Sequence, residues 1–213
     1  KALNDKKYIK PEDACANFYY EKLIAEPKLT KLHSTLKRNY AAALQDEAQQ
    51  VMNTMLKNGF TTEITSGIKL SELYKNYPAY LERASELLGE KHYLYRSLQA
   101  RKYFFNGKIQ KTREASKENY LLALQKQSDL PQAYVELIST SMPSEEDSAV
   151  YYANKAMALV PNWVVPNIKL AGFYMNKLKN RARAEDLLNV AGVIDSNSLL
   201  VWYQKGLFYF RQQ

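Results

Sequence analysis

The sequence predicts an all-α protein, an α-solenoid of packed helix hairpins preceded by an N-terminal bundle of long helices. Three observations carry this expectation. Apolar residues recur at helical spacing along most of the 213 residues, and no segment keeps a period-two alternation, so no sheet is expected. Seven glycines and seven prolines are few for the many turns of an all-β chain of this length. Finally, a pattern repeats at steps of 33 to 35 residues in the C-terminal half. Ala149, Ala153 and Ala156 return as Ala184, Leu188 and Ala191, while Ala171 and Tyr174 return as Gly206 and Tyr209. Ser116, Tyr120 and Ala123 precede the first set by 33. Such self-similarity marks units that bury their apolar faces on one another.

The elements follow in order. Pro11-Glu-Asp reads as a helix start, with proline in the first turn and acids at the positive end of the dipole, and that helix runs to about Ala25. Leu29, Leu32, Leu36, Tyr40, Ala43, Ala48, Val51 and Met55 predict one long amphipathic helix, or two in line, ending at Asn58-Gly59. Thr61 to Gly67 reads as a polar loop. A helical stretch opens at Leu70, and Pro78 either kinks it or starts a second helix that ends at Gly89. Helices are then expected at 91–106 (stopped by Asn106-Gly107), 112–127, 131–142, 145–159 (capped by Ser144), 165–178, 182–194 and 199–211.

From about Tyr93 onward the chain resembles the tetratricopeptide repeat family. Trp202, Gly206 and Tyr209 match the first-helix spacing of that repeat, with Lys205 where leucine is usual. Leu170, Ala171 and Tyr174 match it again, and Ala149, Ala156 and Pro161 match the second helix. The resemblance implies a right-handed superhelix with units at about 93–130, 131–163 and 164–198 and a capping helix at 199–213, within an array from residue 70. Residues 1–69 form a separate N-terminal helical region. Neighbouring helices in such an array cross closely, so a bulky residue at Ala156, Ala171 or Gly206 is expected to cost about 1–3 kcal/mol by overpacking.

The same resemblance places the first helix of each unit on the concave face, where members of the family bind partners. Carried over by position, the lining includes Arg101, Phe104, Glu136, Ser139, Lys169, Met175, Asn176, Tyr203, Gln204 and Arg211. Apolar and aromatic members suit a peptide or helix, and the cations suit carboxylates. The implied function is a protein–protein interaction module or scaffold, with an accessory domain of a larger enzyme or transport assembly as another reading. The basic, Asn-rich clamp for a terminal carboxylate is not reproduced, since Glu136 and Ser139 stand among its positions.

Charge is local. The chain carries a net +8, and residues 91–130 hold nine Lys/Arg against three Asp/Glu, while the flanking parts are near balance. Tyr93, Tyr95, Tyr103, Phe104 and Phe105 interleave with those cations, so nucleic-acid binding through 91–126 is the alternative reading. Two histidines (His33, His92) and one cysteine (Cys15) form no metal or nucleophile–base pattern, so neither catalysis nor a cofactor is expected. A single cysteine leaves no intrachain disulfide, and no apolar run is long enough to span a membrane. Cytoplasm and periplasm both fit. The helix ending near Gln213 leaves Trp202, Phe208 and Phe210 at an open end of the array, where self-association is one expected outcome.

Overall fold

The computed structural model describes residues 1–58 and 68–211. The loop expected at Thr61–Gly67 and the stop at Gly59 lie outside the described residues. All regular structure among the described residues is helical. Helix α1 spans Ala16–Ala25. A 3₁₀ segment, Pro27–Leu32, leads into the long α2, His33–Asn58. There follow α3 (Leu70–Tyr74), α4 (Tyr77–Leu88), α5 (Tyr95–Ile109), α6 (Arg113–Lys126) and α7 (Pro131–Thr140). The last are α8 (Glu146–Leu159), α9 (Val165–Phe173), α10 (Arg181–Ile194) and α11 (Leu199–Phe210).

Packing follows chain order. Helices α5 and α6, α7 and α8, and α9 and α10 pack as pairs, and α11 packs on α10. Helix α4 lies against both α2 and α5, α6 also meets α7, and α9 reaches across to α7. Small residues stand at these crossings. Ala149, Ala153 and Ala156, spaced by four and three on α8, are fully buried, as are Ala184 and Ala191 on α10. With no long side chain between them, the helices come close enough for the flanking leucines and tyrosines to interlock. One continuous buried cluster runs from Tyr8 to Phe208.

Polar side chains tie the N-terminal helices to the rest. Tyr40 donates to the carbonyl of Tyr8 (3.0 Å) and to Asn17 Oδ1 (3.3 Å). Arg83 on α4 donates to the same Asn17 oxygen (2.9 Å) and pairs with Glu21. The end of α2 touches α7, where Gln132 Nε2 donates to the Met52 carbonyl at 3.1 Å.

Several boundaries differ from the sequence expectation. Helix α1 begins at Ala16 and not at Pro11, because the first chain segment folds back. The amides of Ala16 and Asn17 donate to the carbonyls of Lys7 and Tyr8, so no proline or acidic cap is needed. Pro78 starts α4, and the left-handed Gly89 (φ 82°) closes it. Ser144 does not cap α8. A 3₁₀ turn, Pro143–Glu145, precedes that helix, and Glu145 Oε2 accepts from the Met142 amide at 2.7 Å. Helix α9 widens into a π turn over Tyr174–Leu178 before Lys179 turns left-handed (φ 56°).

Two of the helical glycines, Gly107 and Gly206, exchange roles. Gly107 does not stop α5, which continues to Ile109. A Cβ at 107 would lie 2.4 Å from Tyr120 Cε1 on α6, so the glycine exists to admit that ring. At Gly206 a Cβ would meet nothing within 4 Å, so the overpacking expected there does not occur. Replacing Gly107 with alanine should therefore cost about 2–3 kcal/mol by overpacking against the ring, offset by a helix-propensity gain of about 1 kcal/mol, for a net destabilisation of about 1–2 kcal/mol. Urea unfolding of G107A measures this, and an unchanged or raised midpoint would contradict the packing argument.

Candidate functional site

Helices α7, α9 and α11 together border a groove of about 370 Å³. Ile138, Val165, Ile168, Phe173 and Leu200 supply its apolar surface, and Ser139, Lys169, Asn176, Lys177 and Gln204 its polar groups. No carboxylate lines it among the described residues. A second cavity of about 280 Å³ adjoins it through the shared Asn176, with Met175, Lys179, Arg181, Phe208 and Arg211 around it. Arg211 Nη1 donates to Asn176 Oδ1 at 3.2 Å, linking the end of α11 to the π turn.

A buried ionic contact holds the floor behind the groove. Glu136 on α7 accepts from Lys108 Nζ of α5 at 3.2 Å, and Lys169 Nζ of α9 stands 3.7 Å away. Burial alone would raise the Glu136 carboxyl, but the two ammonium groups reverse this and hold it below its ordinary range. The same acid thus ties α5 to α7 and α9, two of the helices that present the groove. Lys177 closes the far end of α7 by donating to the carbonyls of Ser139 (3.0 Å) and Ser141. Those carbonyls are helix-terminal acceptors without helical partners, and the cation also meets the negative end of the dipole. Burial, together with repulsion from Arg113, lowers the Lys177 ammonium, with Glu145 opposing.

The ten residues expected on a concave face divide. Ser139, Lys169, Asn176 and Gln204 come together in the larger cavity, and Met175 and Arg211 in the smaller one. Tyr203 is exposed but lines neither. Phe104 does not line a surface at all. It is fully buried against Phe105 and Tyr120, so its place is the core. Glu136 is likewise internal, as described above. Arg101 is half-buried and donates to Ser97 Oγ at 2.8 Å, and burial lowers its guanidinium from the ordinary value. Ile138, Phe173 and Lys177 were not among the expected lining residues. In a straight α-helix Lys177 would stand about 80° round from Lys169. The wider π turn brings it back, a register change that apolar spacing does not announce.

The basic segment 91–126 looks different once folded. Lys102 pairs with Glu82 (2.6 Å), Lys108 with Glu136, Arg113 with Glu114 (2.8 Å) and Lys117 with Glu145. Three of those acids belong to other helices or to the turn before α8, so much of the local excess is internal bracing. Phe104 and Phe105 are buried, while Tyr93 is exposed and stacks on His92 at 4.6 Å between centroids.

A larger cavity of about 650 Å³ lies between residues 1–7, α1 and α2, with Tyr19, Tyr20, Leu23, Leu36 and Tyr40 in its wall. None of the expected site residues lines it. No group of His, Cys, Asp or Glu among the described residues is arranged to hold a metal ion. No protein-family model, curated protein or solved structure matches the chain.

Removing the carboxylate that faces the buried Lys108 ammonium, as in Glu136→Gln, should destabilise the fold by about 3 kcal/mol at pH 7. The folded Glu136 carboxyl is depressed, so its contribution is full above the unfolded value of about 4.3 and is lost as pH falls through the lower folded value. The stability gap between wild type and E136Q should therefore close in acid. Chemical unfolding across pH measures it, and a gap that stays constant to low pH would contradict the assignment.

Proposed function

We propose that the chain is a protein–protein interaction module, and that residues 93–213 form a tetratricopeptide-like array whose groove between α7, α9 and α11 holds a segment of a partner protein. The single observation that supports this best is the character of that groove: an apolar floor with amide and ammonium groups at its edge and no lining carboxylate. Such a surface suits an extended or helical segment with apolar anchors and acidic flanks. Convergence of Ser139, Lys169, Asn176 and Gln204, expected from the repeat pattern, in one cavity agrees with the resemblance. No helix among the described residues is long and apolar enough to cross a membrane. Nucleic-acid binding through 91–126 has less support, because four of its nine cations are engaged in ion pairs and three of its aromatics, Phe104, Phe105 and Tyr120, are core.

Affinity capture from the native cell tests the proposal. Making the groove less basic with Lys169→Gln together with Gln204→Glu, which leaves Lys108 paired with Glu136, should weaken recovery of the partner by on the order of tenfold, about 1.4 kcal/mol. Lys126→Glu, on α6 and outside both cavities, should leave recovery unchanged. Full retention of the same partners by the groove variant would remove the groove from the function.

A further inference from the structure

Helix α11 exposes a face that no other element among the described residues covers. Trp202 is 62% exposed and Phe210 73%, with Tyr203 at 45% and Tyr209 at 48%. These four rings stand at −4, −3, +3 and +4 from Gly206, the positions that share one helical face with it. The expectation that Phe208 would join them fails, since it is buried and faces inward. Gly206 itself is exposed, and a Cβ there would touch nothing. Glycine in a helix interior costs about 1 kcal/mol relative to alanine, and no contact among the described residues explains it.

The polar tips of two rings are already satisfied. Trp202 Nε1 donates to the Ser196 carbonyl at 2.8 Å, and the Tyr209 hydroxyl donates to Glu185 Oε1 at 2.9 Å. Covering these two rings would therefore bury no unpaired donor, and the Tyr203 hydroxyl would find its partner across the contact or in water at its rim. At about 150–250 Å² per aromatic side chain, the exposed parts amount to on the order of 500 Å². That is a large share of the roughly 800 Å² per partner in a standard interface.

The pattern is the same read in either direction from Gly206. We infer that α11 pairs with α11 of a second copy, antiparallel, with the two-fold axis passing at Gly206. That axis sets Trp202 of each chain against Phe210 of the other, and Tyr203 against Tyr209. The absent side chain at 206 lets the two backbones approach where they cross. An isologous contact of this kind is self-complementary and closes as a dimer. The interface is separate from the groove reading, since neither Trp202 nor Phe210 lines either cavity.

Sedimentation velocity over a dilution series of the full 213-residue chain tests the inference. The wild type should sediment as a dimer of the 24.6 kDa chain at high concentration and dissociate on dilution. Tryptophan emission supplies a second readout, because Trp163 is buried and Trp202 alone should shift to the blue on association. Gly206→Gln and Phe210→Glu should each shift the equilibrium to monomer by tenfold or more, with unchanged far-ultraviolet circular dichroism. A wild type that stays monomeric at the highest concentration would overturn the inference. So would a dimer that persists in both variants.

Discussion

Close approach between neighbouring helices is the constraint on which this structure rests. Where α8 and α10 cross their neighbours, alanine occupies the contact, and where α5 meets α6 even alanine is too large. The ring of Tyr120 fills the space that a Gly107 side chain would take. Once the backbones are this near, long residues can only lie beside the crossing, which is why Leu98, Phe105, Leu137 and Val201 are buried in the intervals. Burial of such side chains, at about 1.5–3 kcal/mol each, then supplies most of the driving force. The groove is a by-product of the same geometry. It forms where α7, α9 and α11 present side chains to one cleft and no further helix among the described residues fills it.

Electrostatics acts on this frame at two depths. At the surface, pairs such as Lys75–Glu72 are exposed and contribute little. Inside, Glu136 lies between Lys108 and Lys169 and is shielded from water, so its geometry matters more than its number of charges. The contact joins α5, α7 and α9 at one atom. It thereby fixes the relative placement of the helices that carry Ser139, Lys169 and Asn176 to the groove.

Two kinds of residue were misplaced by spacing alone, for physical reasons. Phe104 and Glu136 fall at positions expected to face a groove, but they are covered. Phe104 packs on Phe105 and Tyr120, and the end of α2 lies against α7 at Gln132. The spacing of apolar residues along one helix does not report burial by a neighbouring helix. Gly107 reads as a helix stop because glycine often ends helices, yet its role is set by a ring thirteen residues away in sequence. The basic segment shows the same limit. Its charge can be counted from the residues, but Glu82, Glu136 and Glu145, which neutralise three of its lysines, come from elsewhere in the chain.

By itself the sequence determined the helical class, the positions of nearly every helix from α2 onward and the small-residue stripes at their crossings. These follow from local steric preference and from the spacing of apolar residues, both written in neighbouring positions. Only the tertiary structure decided which of the expected lining residues share a cavity, which cations already have partners and which aromatic rings remain uncovered. The reason is that burial and charge pairing depend on residues distant in the chain. The face of α11 combines both kinds of information: the symmetric spacing about Gly206 is in the sequence, and its exposure is in the fold.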